Sequence, residues 1–200
     1  MNTTLCLMQQ VLGNDWEKLP TVIQRHYQIT TTQKNYTVRG VMTIDYPFWV
    51  KPILMITRLM GALVDLKGEN NQVQVKKWIV DNPQVLYWQR EIQAPNGKKT
   101  VFASRMALQQ ANELVEFVGG GFGIFLKLSV EDGKLIYRSQ THLLKLGKCI
   151  IPIPDWLFLG HAIISETALS DETFLLDFRL EHPWWGQTYF YGGVFYLDND

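Results

Sequence analysis

The feature that most constrains this chain is the run of short alternating segments, separated by turn residues, that fills it from Gln72 onward. Segments 72–80, 84–93, 98–107, 111–118, 122–131, 134–143, 161–169, 173–181 and 187–197 read as strands. An earlier one covers 36–46, with Tyr36, Val38, Gly40, Met42 and Ile44 on one face. About ten consecutive antiparallel strands exceed what an open twisted sheet holds. The expected fold is therefore mainly β (α+β): a barrel, half-barrel or two-layer sheet curled around one apolar helix.

Two turns set the expected register. Pro95-Asn96-Gly97-Lys98 and Glu131-Asp132-Gly133-Lys134 both carry the Asn-Gly or Asp-Gly pair favoured by two-residue type I′ turns. On that basis Trp88, Arg90 and Ile92 share a face with Val101, Ala103 and Arg105. In the second hairpin Leu126, Leu128 and Val130 face Leu135 and Tyr137, and Lys127, Ser129 and Arg138 face water. Phe174, Leu176, Phe178 and Leu180 then pair with Tyr189, Tyr191, Phe195 and Leu197. Ile151-Pro152-Ile153-Pro154 cannot be a central strand, because its prolines donate no ladder hydrogen bonds, and it reads as a crossover to a short helix near 155–159.

Residues 3–12 and 15–28 read as short helices, with Asp15 a candidate cap and Pro20 a restart point. From Pro47 to Leu66 the chain is strongly apolar, with Lys51, Arg58 and Asp65 recurring on one narrow stripe. Two cations and Pro52 argue against a transmembrane segment, so a helix enclosed by the sheet is expected, with membrane-surface contact or a partner interface as alternatives.

Nineteen basic residues balance nineteen acidic ones, which removes the attraction a nucleic acid would exert on a basic protein. The two cysteines, Cys6 and Cys149, read as reduced core thiols. The N-terminal segment lacks a basic region and a cleavage site, so a cytoplasmic location is expected, and the sequons at Asn2 and Asn35 then carry no information. No linker or internal repeat divides the chain, which reads as a single domain, 1–200.

Several short motifs arrive in one order: Leu19-Pro20 with Arg25-His26, Val38-Arg39-Gly40, Trp88-Gln89-Arg90, Phe102-Ala103-Ser104, the Gly121–Gly133 hairpin, His182-Pro183-x-x-Gly186 and Tyr191-x-Gly193. Together, over about 19–197, they resemble a bacterial domain family of unknown function found alone or behind a saccharopine-dehydrogenase-like, NAD(P)-binding oxidoreductase domain. The resemblance implies no activity, ligand or catalytic residue. Its fused members imply an oxidoreductase as a possible partner.

The search for chemistry finds no cofactor motif. His26, His142, His161 and His182 are isolated in sequence, with no H-x-x-x-H or C-x-x-C spacing for a metal. Gly119-Gly120-Gly121-Phe122-Gly123 lacks the third glycine of a dinucleotide fingerprint and reads as a sheet bend or bulge. What remains are polar groups on aromatic-rich strands. Arg90, flanked by Trp88 and Ile92, is either a cation lying over an aromatic ring or an inward charge that needs a carboxylate. Glu116, between Leu114 and Val118, is the best-placed partner. Trp88, Arg90, Glu116, His182 and Trp49 form the candidate ligand-binding set, with Arg90 suited to a carboxylate or phosphate head. The leading expectation is a non-catalytic module for a hydrophobic or lipid-like small molecule. The alternatives are an accessory domain for an oxidoreductase partner, and an acid–base enzyme using Glu116, His182 or Arg90.

Overall fold

The computed structural model describes residues 5–29, 36–59, 63–80, 82 and 84–198, less the side chain of Leu59. Asn2 and Asn35 lie outside the described residues. The strands are β1 (Tyr36–Asp45), β2 (Gly68–Trp78), β3 (Val85–Gln93), β4 (Lys99–Gln110), β5 (Glu113–Phe117), β6 (Phe122–Glu131), β7 (Lys134–Leu146), β8 (Cys149–Ile153), β9 (His161–Ala168), β10 (Thr173–His182) and β11 (Gly186–Leu197). Among the described residues three α-helices accompany them: α1 (Leu7–Leu12), α2 (Thr21–Tyr27) and α3 (Lys51–Leu59).

Ten strands close into an antiparallel barrel. The sheet runs β6-β5-β4-β3-β2-β1-β11-β10-β9-β7, and pairing of β6 with β7 completes the ring. β8 bonds only to the far half of β7, so Pro152 sits on an edge strand, where its missing N–H costs no ladder bond. Strand alternation decides what fills the interior, since every second residue points inward. Gly40 illustrates how closely the walls approach. A Cβ there would meet Val194 O at 2.7 Å and the Phe195 ring at 2.8 Å, so only glycine leaves room for Phe195 to stack on Phe174.

The two Asn-Gly-like turns differ. Asp132 and Gly133 both have positive φ, and Glu131 pairs with Lys134, as a two-residue turn requires. In the β3–β4 turn the Ala94 N–H bonds to Lys98 O and the Gly97 N–H to Ala94 O, and only Gly97 has positive φ. Pro95 prefers the second position of a type I turn, and the left-handed Gly97 then adds one residue to the loop. The expected β3–β4 register is therefore off by one: Arg90 pairs with Phe102 and Trp88 with Ser104, so Phe102, Ser104 and Met106 share the interior face with them.

The barrel has two unlike ends. α1, α2 and the 3-10 turn Gly13–Lys18 between them close the end where β1 begins, burying Met8, Trp16 and Ile23. Asp15 lies in that 3-10 turn, paired with Lys18, and Pro20 rather than Asp15 precedes α2. At the other end the segment after β1 crosses the rim. The expectation that its helix is enclosed holds for Leu54, which is fully buried, and fails for Phe48, Met55 and Ile56, which are exposed. The strands' own aromatic side chains occupy the interior and leave no space for a cylinder roughly 10 Å wide. Cys149 is likewise exposed rather than in the core, because it sits on the β7–β8 hairpin. Gly119–Gly121 forms a tight 3-10 connection between β5 and β6, rather than a bulge within a strand. No helix among the described residues is long and apolar enough to cross a membrane.

Candidate functional site

The barrel interior retains a cavity of about 150 Å³. Its walls are mostly aromatic and aliphatic, from β10 and β11 (Phe174, Phe178, Tyr191) and from β1 to β4 (Met42, Trp88, Phe102). Three groups of polar side chains lie in or behind this apolar lining.

The first spans three adjacent strands. Arg90 on β3 donates to Ser104 Oγ at 2.8 Å, Ser104 donates to Glu116 Oε1 at 2.6 Å, and the guanidinium lies 3.5 Å from the same carboxylate oxygen. Since Trp88 opposes Ser104 and Met106 opposes Glu116, the three polar residues are diagonal neighbours on the inner face. The guanidinium also lies over the rings of Trp88 and Phe102, 4.8 and 5.0 Å from their centroids.

The second group joins α2 to β7 and β9. The Tyr27 hydroxyl donates to Glu166 Oε1 at 2.7 Å and lies 2.5 Å from the Tyr137 hydroxyl. Burial raises the Glu166 carboxyl to about 7, against the Tyr27 hydrogen bond and the charges of Lys77 and Arg90. The third group is Lys77 on β2, fully buried beneath α2. Its Nζ donates to His26 O at 2.5 Å and lies 3.0 Å from His26 Nδ1. The rings of Tyr27, Tyr36 and Trp88 surround it within 5.2 Å. Burial drives the Lys77 ammonium well below its usual range, with Arg90 adding to the effect. Burial likewise pushes His26 well below the usual imidazole value, so His26 stays neutral.

Two buried polar atoms in this wall have no hydrogen-bond partner among the described residues: Trp88 Nε1 and Glu166 Oε2. Both residues line the cavity. Orphaned buried groups are rare, and each marks either a cost or a place for a guest.

A further cluster lies toward the α3 end. His142 Nδ1 and His161 Nδ1 each lie within 3.0 Å of one oxygen of Asp155, and Ser139 Oγ is 2.9 Å from His161 Nδ1. Burial raises the Asp155 carboxyl, but the two histidine hydrogen bonds outweigh it and leave the carboxyl below its usual value. Two of the four histidines isolated in sequence thus meet at one carboxylate. A bulge at Gln140, between the pairs Leu126–Ser139 and Phe125–Thr141, re-phases β7 so that His142 also lines the cavity.

Of the five candidate residues read from the sequence, Trp88, Arg90 and Glu116 meet in the cavity wall. His182 does not. It is buried at the β10–β11 corner, where its Nε2 lies 2.9 Å from Trp156 O, its Nδ1 accepts from the Trp184 N–H, and its ring stacks on Trp185. Trp49 packs edge-on against Trp185 at the rim. The sequence reading missed Lys77, Ser104, Tyr137 and Glu166. Alternation carried a signal for two of them: Lys77 is in phase with Val73 and Val75, and Glu166 with Ala162 and Ile164. Nothing in the sequence marks His26 and Tyr27 as cavity residues, because only the docking of α2 brings them there.

No curated protein matches the chain. The motifs that frame this interior do fit one family: a match to DUF4166, a domain of unknown function, extends over residues 19–195, and the chain belongs to that family.

Proposed function

We propose that the barrel interior binds a compact, mainly apolar small molecule whose one polar end is an uncharged hydrogen-bonding oxygen, such as a lipid-like alcohol. The observation that carries this reading is the pair of orphaned atoms, Trp88 Nε1 and Glu166 Oε2, in the wall of an otherwise apolar cavity. An N–H donor and a carboxyl oxygen together suit a group that both accepts and donates, as a hydroxyl does. Charge balance selects against an anion. Arg90 is committed to Glu116 and Ser104, and burial pushes both Lys77 and Glu166 toward their neutral forms. In this reading Arg90 and Glu116 hold the wall rigid beside the polar end, and the aromatic strands supply the contact area.

Native mass spectrometry of freshly purified protein tests for a co-purified small molecule. In parallel, the uncharged fluorescent probe 1-aminoanthracene should bind saturably and be displaced by decanol more effectively than by decanoate at pH 8. Replacing Trp88 with 3-benzothienylalanine, which exchanges the indole N–H for a sulfur in a ring of nearly the same shape, should weaken decanol binding by about 2- to 13-fold, the range of one net hydrogen bond. Absence of both a co-purified mass and saturable binding overturns the proposal.

One observation favours a second reading, acid–base chemistry on such a guest. His142 lines the same cavity with Nδ1 held by Asp155, and its Nε2 has no hydrogen-bond partner among the described residues. That is the arrangement of an oriented general base.

A further inference from the structure

The exposed large apolar side chains of this chain are unevenly placed. Phe48, Met55 and Ile56 project from the α3 segment, Trp184 and Trp185 from the β10–β11 turn, and Trp156 and Leu157 from the 3-10 turn after β8. All these elements lie at the same barrel end, and the β7–β8 hairpin adds Leu146, Ile150 and Ile151 there. Phe48 is 87% exposed and Trp184 70%. Ring contacts connect the patch. Trp49 meets Trp185 at 5.1 Å, Trp185 stacks on His182 at 4.0 Å, and Trp184 reaches Trp156 at 6.1 Å. A connected apolar surface of this kind marks an interaction site.

The charges beside it say what kind. Lys51 and Arg58 on α3 and Lys145 and Lys148 on the β7–β8 hairpin are exposed and have no ion pair among the described residues. The carboxylates near them are largely occupied: Asp45 pairs with Lys67, Asp65 accepts from Tyr46, and Asp155 is held by two histidines. Glu69 and Glu181 are the exceptions. Unpaired exposed cations such as Lys76, Lys127 and Lys134 occur elsewhere among the described residues too, so what distinguishes the α3 end is that its unpaired cations border exposed tryptophan and aliphatic side chains. The α3 end is thus apolar at its crest and cationic at its flanks.

From this juxtaposition we infer that the α3 end of the barrel docks on an anionic lipid surface. Tryptophan indoles sit at the headgroup level of a bilayer, aliphatic side chains reach the acyl boundary, and flanking lysines and arginines are drawn to anionic headgroups. Docking there also places the membrane beside Leu63 and Phe158, which line the cavity at this end, so an apolar guest would pass between bilayer and barrel without crossing water. The docking surface stands apart from the interior reading, since it requires only the rim.

Co-sedimentation of the full chain with vesicles tests it. The chain should pellet with phosphatidylcholine vesicles containing phosphatidylglycerol, with a blue-shifted tryptophan emission, and bind pure phosphatidylcholine more weakly. Added salt should release it. The double variant Phe48→Ser/Ile56→Ser should bind at least tenfold more weakly, as should Lys145→Glu/Lys148→Glu. Leu169→Ser, an exposed apolar site at the opposite end, should bind as the parent does. Both rim variants should keep saturable 1-aminoanthracene binding in vesicle-free solution, so that failure of docking and failure of the cavity reading are told apart. No binding of the parent chain to the anionic vesicles overturns the inference, as does equal loss in Leu169→Ser. A parent dimer that Phe48→Ser/Ile56→Ser converts to monomer also overturns it, by showing that a second copy covers the patch.

Discussion

The two ends of the barrel are built from similar material to opposite effect. At the end where β1 begins, α1 and α2 bury nearly every apolar side chain they carry, and α2 delivers His26 and Tyr27 into a cluster with Lys77, Tyr137 and Glu166. At the other end α3 buries Leu54 and Thr57 and leaves Met55 and Ile56 in water. An amphipathic helix shields its apolar stripe where a closed surface receives it. The first end is a plug that pays, in stability, for holding ionisable groups out of water. The second is a rim whose apolar groups add little to folding and are free for contact with something else.

The sharpest way to break that comparison is to truncate one large side chain at each end. Trp16 is almost fully buried in the plug, and Trp16→Ala should cost about 4 kcal/mol in urea unfolding, as large-to-small core changes do. Phe48→Ala, at the rim, should change stability by no more than about 0.5 kcal/mol. Comparable losses would mean that the rim is part of the core.

The next effect belongs to the ion pair midway along the interior. Arg90 and Glu116 have only 14% and 11% of their side chains exposed, so removing one leaves the other poorly solvated. Arg90→Met should destabilise by about 3 kcal/mol, and Arg90→Met/Glu116→Leu should recover most of it, because an apolar pair can replace a buried ion pair at little cost. A double variant as unstable as the sum of two single losses would show that the two side chains contribute independently rather than as a pair.

Glu166 sharpens the comparison through pH. Its carboxyl is raised from 4.5 to about 7 by burial, so the folded chain holds a proton that the unfolded chain has released. Stability from this group is fully present below 4.5, declines as pH rises, and the loss is complete above about 7. Glu166→Gln, which keeps an acceptor for Tyr27, should therefore stabilise by up to about 3 kcal/mol at pH 8 and by almost nothing at pH 4. Lys77 runs the other way. Its lowered value makes stability grow with pH up to the ordinary lysine range, and Lys77→Met should remove that rise. A Glu166→Gln benefit independent of pH would mean that the carboxyl is ionised and solvated.

Much of this barrel was legible in the sequence, because strand alternation is a short-range property. The phases of β1, β6, β7, β10 and β11 follow directly from their apolar residues, and Asp132-Gly133 fixes the β6–β7 register. Asn96-Gly97 looked equivalent and was not, since Pro95 turned a two-residue loop into a three-residue one and moved Ser104 onto the face of Arg90. Arg90 and Glu116 could be matched across that error because each was a lone charge among apolar neighbours. The remaining polar groups depend on long-range events: the docking of α2 for His26 and Tyr27, and the Gln140 bulge for His142. No local pattern encodes where a helix lands. His182 is a turn histidine hydrogen-bonded to backbone, as its position in His182-Pro183-Trp184-Trp185 suggests, and its tryptophan neighbours shield that turn rather than a place in the cavity wall.

The smallest effect is on the thiols, one at each end. Cys6 precedes α1 in the plug, is buried, and has its thiol raised by that burial, which the surrounding backbone hydrogen bonds only partly offset. Cys149 is exposed on the β7–β8 hairpin at the rim. Thiolate and access together set the rate of disulfide exchange, so a native chain treated with an aromatic disulfide reagent at pH 8 should release about one equivalent of thiol quickly. The second equivalent should appear only at the rate at which the plug opens, and urea should merge the two phases. Cys149→Ser should abolish the fast phase and leave stability within about 0.5 kcal/mol of the parent, because the side chain buries nothing. Cys6→Ser should abolish the slow phase with little loss of stability, since Cys6 caps α1 and a serine hydroxyl there would accept the Gln9 N–H. Two fast thiols in the native chain would show that the plug opens as readily as the rim, and the contrast between the two ends would then hold for the static fold but not for its fluctuations.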